Sequence, residues 1–365
     1  MRLTLPKLIL SVRHIIFILL AMLVFPHASY TAELDKISIN GYLSAEYEKH
    51  IAGDEEGDQN GSFDMDLIDL VFNIQATDKL RVSTDITWEH GAASEDSRGN
   101  VAVEYAFGEY TLKETLRFRA GKMFTHFGIY NELHTAKPTT LTAKEPISTN
   151  KNNKLGSDIR FYPRWLMGVA LLGNYQIKTM HADYIIQLSN GETEDDDSNP
   201  YEEDDNTHKA LNARVRLNYS DNTRLGASFY YDSMEDPSSN ANIDIGSYGI
   251  QLEWENLRGA GIEVELLRGF LDPDIGLDIN RHALSLMLSQ RLNEKYIPYL
   301  RYEYLDPNDK ISNDSGEVII LGINMGIDDN FFIKVEIDQF ITGDNNSKYQ
   351  GKSFSELKTS VSIGF

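Results

Sequence analysis

Basic side chains recur at two-residue spacing along extended stretches of this sequence. Arg117 and Arg119 form one such pair, and Arg214 and Arg216 form another. Because successive residues of a β-strand point to opposite faces, each pair presents two guanidinium groups on one face. Guanidinium groups bind phosphate and carboxylate groups through paired hydrogen bonds. If the pairs converge in space, they form a ring that attracts anions.

Further basic residues extend this set, because four lysines lie between residues 124 and 156. The candidate constriction and selectivity residues are Arg117, Arg119, Lys122, His126, Lys137, Lys144, Arg214, Arg216, Arg301 and Lys334. The alternative is that the arginines form ion pairs with acids of neighbouring strands, and the candidates are Glu253, Glu263, Glu303 and Glu336. Such pairing predicts weak selectivity, because paired charges attract mobile ions less strongly.

The composition narrows the class of protein. The chain has 365 residues, with 34 Lys plus Arg against 56 Asp plus Glu, which gives a formal charge of -22. A nucleic-acid-binding protein needs a basic surface, so this class is disfavoured. The absence of cysteine excludes disulfide scaffolds, cysteine nucleophiles and thiolate metal sites. A soluble multidomain protein and a β-barrel remain, and a barrel looks hydrophilic because only alternate residues face lipid.

The first thirty residues have the pattern of a secretory signal. Three basic residues among the first thirteen precede an apolar run from Ile15 to Phe25, and small residues follow up to Ala32. Eleven apolar residues are too few to span a bilayer, which disfavours a membrane anchor. We therefore expect a signal peptide over 1–32, with an uncertain cleavage site, and one exported domain over 33–365, located in a bacterial outer membrane.

Period-2 alternation of apolar and polar residues recurs over 37–365. In the last segment, Leu357 and Phe365 fall on one face, whereas Lys358 and Ser360 fall on the other. One apolar and one charged face over about ten residues is typical of outer-membrane strands. The exported domain is therefore predicted to be all-β.

The links between these segments alternate between short and long. The long links run 48–62, 91–99, 124–156, 190–207, 234–242, 270–280, 306–315 and 343–351. Eight long and seven short links join sixteen strands, as in an antiparallel barrel with short turns at one end. Segment 157–165 could form an extra strand, but this would break the alternation, so we assign it to the return of the third loop.

A barrel of about sixteen strands leaves an aqueous lumen, and its charged inner faces suit water. This architecture predicts passive diffusion of small hydrophilic solutes or ions. The third link lacks a strand pattern over thirty-odd residues, and its aromatic start predicts that it packs inside the barrel.

The start of this third link also carries a family resemblance. The run Gly121-Lys122-Met123-Phe124, followed by Phe127-Gly128-Ile129-Tyr130-Asn131-Glu132, resembles the phosphate-selective porin O/P group and its porin relatives. The resemblance implies a sixteen-stranded porin, often a homotrimer, whose third loop folds inward. It does not transfer selectivity, and His126 stands where a proline commonly precedes the Phe-Gly pair.

Further features of the sequence indicate partners. The terminal Phe365 resembles the signal read by the barrel assembly machinery. The other expected partners are outer-membrane lipid, lipopolysaccharide and small hydrophilic solutes, and no nucleic acid is expected. Acidic residues crowd the link 190–208, so the field at the mouth opposes that of a basic constriction.

Enzyme motifs such as G-x-S-x-G, H-E-x-x-H and the Walker sequence are absent from the sequence. His126 and His134 lie near Glu132, but nothing specific supports a metal or acid–base pair there. We therefore expect no catalytic residue, no metal and no cofactor. The rival hypotheses are a closed-lumen barrel that serves as a surface adhesin or structural protein, and a hydrolase active at the barrel rim.

Overall fold

The structure is a computed structural model that describes most of residues 36–365. The predicted signal segment 1–32, His134 and most of the acidic link 190–208 lie outside the described residues. The described residues are 36–54, 56–89, 100–133, 135–149, 160–191, 207–236, 241–274 and 276–365.

Sixteen antiparallel strands form a closed barrel, as predicted. Each strand pairs with its neighbours along the chain, and β16 pairs with β1 to close the ring. The strands are β1 (Ile37–Gly53), β2 (Ser62–Gln75), β3 (Leu80–Glu89), β4 (Asn100–Lys113), β5 (Leu116–Phe124), β6 (Trp165–Ile177), β7 (Met180–Ser189), β8 (Ala210–Ser220), β9 (Thr223–Asp236), β10 (Ala241–Glu255), β11 (Ala260–Pro273), β12 (Ile279–Gln290), β13 (Tyr296–Asp306), β14 (Gly316–Asp328), β15 (Phe331–Thr342) and β16 (Ser353–Gly364).

The alternation of link lengths is confirmed, so the barrel has a long-loop end and a short-turn end. Several strands extend beyond their predicted limits at the long-loop end: β1 continues to Gly53, β9 to Asp236 and β11 to Pro273. The predicted loops over 48–62, 234–242 and 270–280 were therefore too long. Hydrogen-bonded pairing continues there after the apolar band has ended, so the alternation of apolar residues stops before the strand does.

The third loop spans its predicted link together with the predicted return, because β5 ends at Phe124 and β6 begins at Trp165. Two single turns of 3-10 helix, Asn131–Leu133 and Lys137–Thr139, are its regular elements. The described part of its return, residues 160–164, contains no strand, which agrees with the predicted alternation of short and long links. Among the described residues, no helix is long and apolar enough to cross a membrane.

The wall of the barrel is apolar outside and polar inside. Leu321 on β14 points outward and is 62% exposed, whereas Lys334 on β15 points inward and is fully buried. A soluble protein has the opposite distribution. Spanning strands in lipid must satisfy their backbone groups by closing into a ring, and an apolar outer face suits that setting.

The seam between the first and last strands depends on a glycine. The backbone groups of Gly41 and Phe365 exchange two hydrogen bonds, of 2.8 and 2.9 Å. The Phe365 ring lies against Gly41, where a Cβ atom would stand 2.3 Å from the ring and 2.7 Å from the Asp69 carbonyl oxygen. A side chain at position 41 therefore forces the seam apart.

Gly41→Ala is expected to destabilise the barrel by about 1–3 kcal/mol, the usual cost of overpacking. The matched control is Gly108→Ala on β4, where a Cβ atom would meet nothing within 4 Å. Urea unfolding of both variants in detergent measures the difference. Equal midpoints for the two variants would show that the seam does not need Gly41.

Candidate functional site

The described parts of the third loop, residues 125–133, 135–149 and 160–164, lie inside the barrel and contact opposite sides of its wall, which confirms the predicted inward fold. On one side, Lys144 donates to Asp66 on β2 at 2.9 Å. On the other, the Tyr130 hydroxyl donates to Glu263 on β11 at 2.6 Å. Since β2 and β11 lie on different sides of the ring, the loop spans the lumen.

Carboxylates of the wall accept hydrogen bonds from the loop backbone. The amide of Ile129 donates to Glu265, that of Ala143 to Glu336 and that of Ile147 to Glu303, each at 2.7 Å. An irregular segment leaves many backbone groups unpaired, and burial without partners is costly. These three glutamates supply partners that neither a helix nor a strand provides here.

Wall cations bind loop carbonyl and hydroxyl oxygens in the same way. Lys334 donates to the carbonyls of Lys137 and Thr142, at 2.7 and 3.0 Å, and to the Thr140 hydroxyl at 3.0 Å. Arg301 donates to the Thr142 hydroxyl at 2.7 Å and to the Lys144 carbonyl at 3.0 Å, and it pairs with Glu303 at 2.5 Å. Two predicted selectivity residues, Arg301 and Lys334, are therefore engaged in holding the loop.

Two amide side chains complete this set of anchors. Gln187 on β7 accepts from the His126 amide at 2.9 Å and donates to the Phe124 carbonyl at 3.0 Å. Asn324 on β14 donates to the carbonyls of Thr140 and Leu141, at 3.3 and 3.2 Å. Each amide can bind two backbone groups at once, which suits it to an irregular chain.

The lysines of the loop lie in a buried cluster of ion pairs. Lys144 pairs with Glu46 and Asp66, and Lys137 pairs with Asp66 and Glu145 at 3.6 and 3.5 Å. Burial alone would lower the pKa of both lysines, but the surrounding carboxylates raise it above its usual range. Both lysines are thus charged and neutralised, and neither offers an unpaired charge to a passing ion.

A second cluster lies where the loop leaves β5. The Glu132 carboxylate pairs with Arg214 and with His126 Nδ1, the latter at 2.5 Å, and Arg119 lies 3.2 Å from His126 Nε2. A neutral imidazole fits this arrangement, because Nδ1–H donates to Glu132 while Nε2 accepts from Arg119. Burial lowers the pKa of His126. Burial would raise the pKa of Glu132, but Arg214 and His126 hold it well below its usual range.

Aromatic packing fastens the loop to the wall formed by β10 and β11. The rings of Phe127 and Tyr162 stack 4.2 Å apart, and both are buried with Leu267. Gly249 on β10 makes room for this contact, since a Cβ atom there would lie 2.8 Å from the Phe127 ring. A buried Phe side chain contributes about 1.5–3 kcal/mol. The loop is therefore held by apolar packing as well as by hydrogen bonds.

The bend at Gly128 needs a glycine for two reasons. Its φ is +64°, a conformation that other residues rarely adopt. A Cβ atom there would also lie 2.3 Å from the Glu265 carboxylate. The bend brings the Gly128 amide to Ser228 at 3.1 Å, so that the loop backbone touches the wall directly.

Arginines remain along the wall toward the short-turn end. Arg81, Arg117 and Arg119 surround Glu109, with nitrogen–oxygen distances of 3.3, 3.4 and 2.8 Å. Further along, Arg216 shares the inward face of β8 with Arg214, opposite Asp183 of β7. Arg224 of β9 pairs with Glu253 at 3.1 Å.

A cavity of about 540 Å³ opens at the short-turn end. Arg224 and Glu253 line it on the wall, and Thr139 and Leu141 of the loop line it from within. Water-accessible space therefore adjoins the arginine-bearing wall, with the loop as its inner boundary.

Lys122 does not join the inward arginines. Its amine donates to the Val103 carbonyl at 2.6 Å and lies 5.4 Å from the Trp165 ring centroid, on the outward face of β5. Parity alone predicts this placement, because 122 differs from 117 and 119 by an odd number. Of the other predicted residues, Arg119, His126, Lys137, Lys144, Arg214, Arg301 and Lys334 contact or anchor the loop, while Arg117 and Arg216 lie nearer the short turns.

Sequence reasoning missed the anchoring carboxylates and amides as functional residues. Glu303 and Glu336 were named from the sequence only as possible partners of arginines. Glu265, Gln187 and Asn324 were not named as candidate functional residues. Their inward parity was readable from the sequence, but their backbone partners on the loop were not. Among the described residues, no group of three or more His, Asp or Glu side chains is arranged to hold a metal ion.

Comparison with known proteins supports the fold. No protein-family model matches the chain. An uncharacterised protein of Aquifex aeolicus is 30% identical over 123 residues, which is 33% of this chain and only 27% of that protein. The chain therefore matches about a quarter of the length of this curated relative.

Solved outer-membrane barrels superpose over nearly the whole chain. The anion-selective porin of Comamonas acidovorans matches with a TM-score of 0.60 at 12% identity, covering 90% of this chain and 99% of its own. The channel DcaP of Acinetobacter baumannii matches at 0.61 and 11%, covering 92% and 99%. The trimer form of OmpT of Vibrio cholerae matches at 0.57 and 12%, covering 90% and 99%. At these identities the likeness shows the shared fold.

Lys334→Met is expected to loosen the loop, because three loop oxygens lose a charged donor, each worth about 1.5–3 kcal/mol. Digestion with proteinase K in detergent should then cut within residues 137–144, and mass spectrometry locates the cut. The control Lys113→Met removes an exposed lysine near a short turn. Wild-type resistance retained in Lys334→Met would contradict the anchoring role.

The stability that His126 contributes should be lost as the pH drops from 7 to 5. The unfolded chain protonates histidine near pH 6.5, whereas buried His126 resists protonation, so acid favours the unfolded state in this window. His126→Gln should flatten the pH dependence of the urea midpoint, while the control His181→Gln keeps the wild-type slope. An unchanged slope in His126→Gln would contradict the assignment.

Proposed function

We propose that this protein is an outer-membrane porin, a channel for passive diffusion of small hydrophilic solutes. Residues 33–365 form its single barrel domain after export directed by residues 1–32. The observation that supports the proposal is the ring itself: sixteen strands enclose a polar lumen, present apolar residues outward and hold a loop that narrows the interior. Rings of this strand number are wide enough to enclose water.

The solute path is proposed to follow the short-turn end of the wall from β3 to β10, because a cavity adjoins Arg224 and Glu253 there. Toward the short-turn end of this wall, five arginines lie near three carboxylates that they contact or oppose, whereas Asp85, Glu104 and Asp232 of the same wall are buried further from the short turns. The arginines are Arg81, Arg117, Arg119, Arg216 and Arg224, and the carboxylates are Glu109, Asp183 and Glu253. We infer a weak preference for anions, since most of these arginines contact a carboxylate.

The family resemblance does not carry phosphate selectivity over to this protein. The arginines of the wall can bind phosphate in principle. However, Arg301, Lys334 and the loop lysines, which a phosphate ladder would use, are engaged with the loop. Small inorganic anions as a class are therefore the proposed favoured ions.

The rival is a closed barrel that acts as an adhesin or a structural protein. It draws support from the number of bonds that fix the loop across the lumen. The two hypotheses differ in one property, because only a porin gives a reproducible aqueous conductance. The remaining partners are proposals as well: a homotrimer, lipopolysaccharide, and the assembly machinery through Phe365.

Single-channel recording in planar bilayers tests the function. Wild-type protein in a KCl gradient should conduct and give a reversal potential with a slight anion preference. Silence of folded protein would favour the closed barrel. A strong anion preference that saturates with phosphate would instead support the phosphate-selective alternative.

Arg81→Gln combined with Arg117→Gln should lower the chloride-to-potassium permeability ratio by a factor of about two to five, since a charge near 4 Å in water contributes about 1 kcal/mol. The control Arg258→Gln removes an exposed arginine from a short turn. Equal ratios in the double variant and the control would place the path elsewhere.

A further inference from the structure

An apolar groove of about 370 Å³ indents the outward face of the barrel between β10 and β13. Leu266 of β11 and Leu284 of β12 stand side by side in its middle. Ile250 lies next to Leu266, and Tyr304 lies next to Leu284. A groove lined in this way suits a hydrocarbon chain, because burial of apolar surface is its source of binding energy.

Two basic side chains line the same groove toward the long-loop end. Arg268 and His282 are direct partners across β11 and β12, one row above Leu266 and Leu284. Arg268 is exposed, and its guanidinium makes no hydrogen bond or ion pair with any residue the structure describes. An unpaired guanidinium on a lipid-facing wall is costly unless it meets an anion or the interface.

The acid next to this pair is already engaged. Asp306 stands opposite His282 on β13. Its carboxylate accepts from the Asn308 amide at 3.1 Å and from the Tyr304 hydroxyl at 3.5 Å. These hydrogen bonds leave the Asp306 carboxylate charged, so the positive charge of the groove rests on Arg268, which lies two strands away from Asp306.

The height of the pair along the wall matches a lipid headgroup. Below Arg268 on the outward face of β11, the side chains are Leu266, Val264 and Ile262, all apolar. Above it on the same face, Phe270 stands next to Asn280, and Asp272 follows. Arg268 and His282 thus stand one row below the end of the apolar face, close to the level at which lipid phosphates lie.

We propose that this groove binds lipid A, the phosphorylated acyl lipid of the outer leaflet, with an acyl chain along Leu266 and Leu284 and a phosphate on Arg268 and His282. The inference rests on the proposed outer-membrane location, which puts the long-loop end at the outer leaflet. Guanidinium and imidazolium groups donate to phosphate oxygens, and guanidinium does so in pairs. The apolar groove supplies the contact that free phosphate lacks.

Native mass spectrometry of the detergent-purified protein with added diphosphoryl lipid A tests the site. Wild-type protein should retain a bound lipid A, and Arg268→Gln combined with His282→Gln should lower its retention about tenfold, as expected for loss of charged hydrogen bonds. Leu266→Trp, which fills the groove, should lower retention while leaving both bases in place. The control Arg258→Gln removes one positive charge at the short-turn end and should bind as wild type.

Competing ligands separate lipid from free phosphate. Millimolar inorganic phosphate should not displace lipid A from the wild-type protein. Lipid A without its phosphates should bind weakly to the wild type, about as weakly as diphosphoryl lipid A binds to the double variant. Displacement by inorganic phosphate, or equal retention in the double variant and the control, would overturn the site. The groove could instead bind a second copy of the chain. A dimer that Leu266→Trp abolishes, with lipid retention unchanged, would therefore also overturn the lipid site.

Conductance recorded from the same preparations keeps this inference separate from the proposed function. Variants that lose lipid A but conduct normally support both proposals. A silent wild-type channel that binds lipid A through Arg268 would leave the lipid site standing and reject the porin. Each sample is first shown to be folded by its heat-sensitive mobility on gels.

Discussion

Every backbone amide and carbonyl needs a partner where water is scarce, and this requirement shapes both the wall and its contents. In the wall, strands satisfy it by pairing with their neighbours until β16 meets β1. Inside the lumen, the described part of the third loop is irregular and pairs only some of its backbone groups with one another. Side chains of the wall take over this role, through Glu265, Glu303, Glu336, Arg301 and Lys334.

Because side chains of the wall hold the loop, many of the inward charges do not act on solutes. A charge that binds a loop amide or carbonyl is committed to structure, and its field is largely cancelled by its partners. Toward the short-turn end, the wall retains arginines beside a cavity, where they can act on solutes. The loop thus decides which part of a charged lumen acts on the solute, and the selectivity that we propose is weaker than the number of basic residues suggests.

The fold was predictable because its signals are local. Alternation along one strand and the length of one link can be read without knowledge of other strands, and together they gave the closed ring. Strand ends such as Gly53 and Pro273 were missed, because pairing continues into the polar region where alternation carries no information. Lys122 was predicted to line the constriction because it directly precedes the loop. Its odd spacing from Arg117 and Arg119 already indicated the outward face of β5.

The site was harder to predict because its bonds are made between distant segments and to backbone atoms. Lys334 donates to the carbonyls of residues 137 and 142, almost two hundred positions earlier. The sequence can indicate that a buried Lys334 needs hydrogen-bond acceptors. It cannot indicate which carbonyl accepts, because every residue of the loop carries the same backbone carbonyl. Only the folded path of the loop identifies which oxygen is met.

Hydrogen–deuterium exchange of the loop amides tests the central claim most directly. The account predicts that Ile129, Ala143 and Ile147 exchange as slowly as amides of the barrel strands, because each donates to a buried wall glutamate. Exchange of these three amides at the rate of an exposed loop, in protein whose strands remain protected, would contradict it.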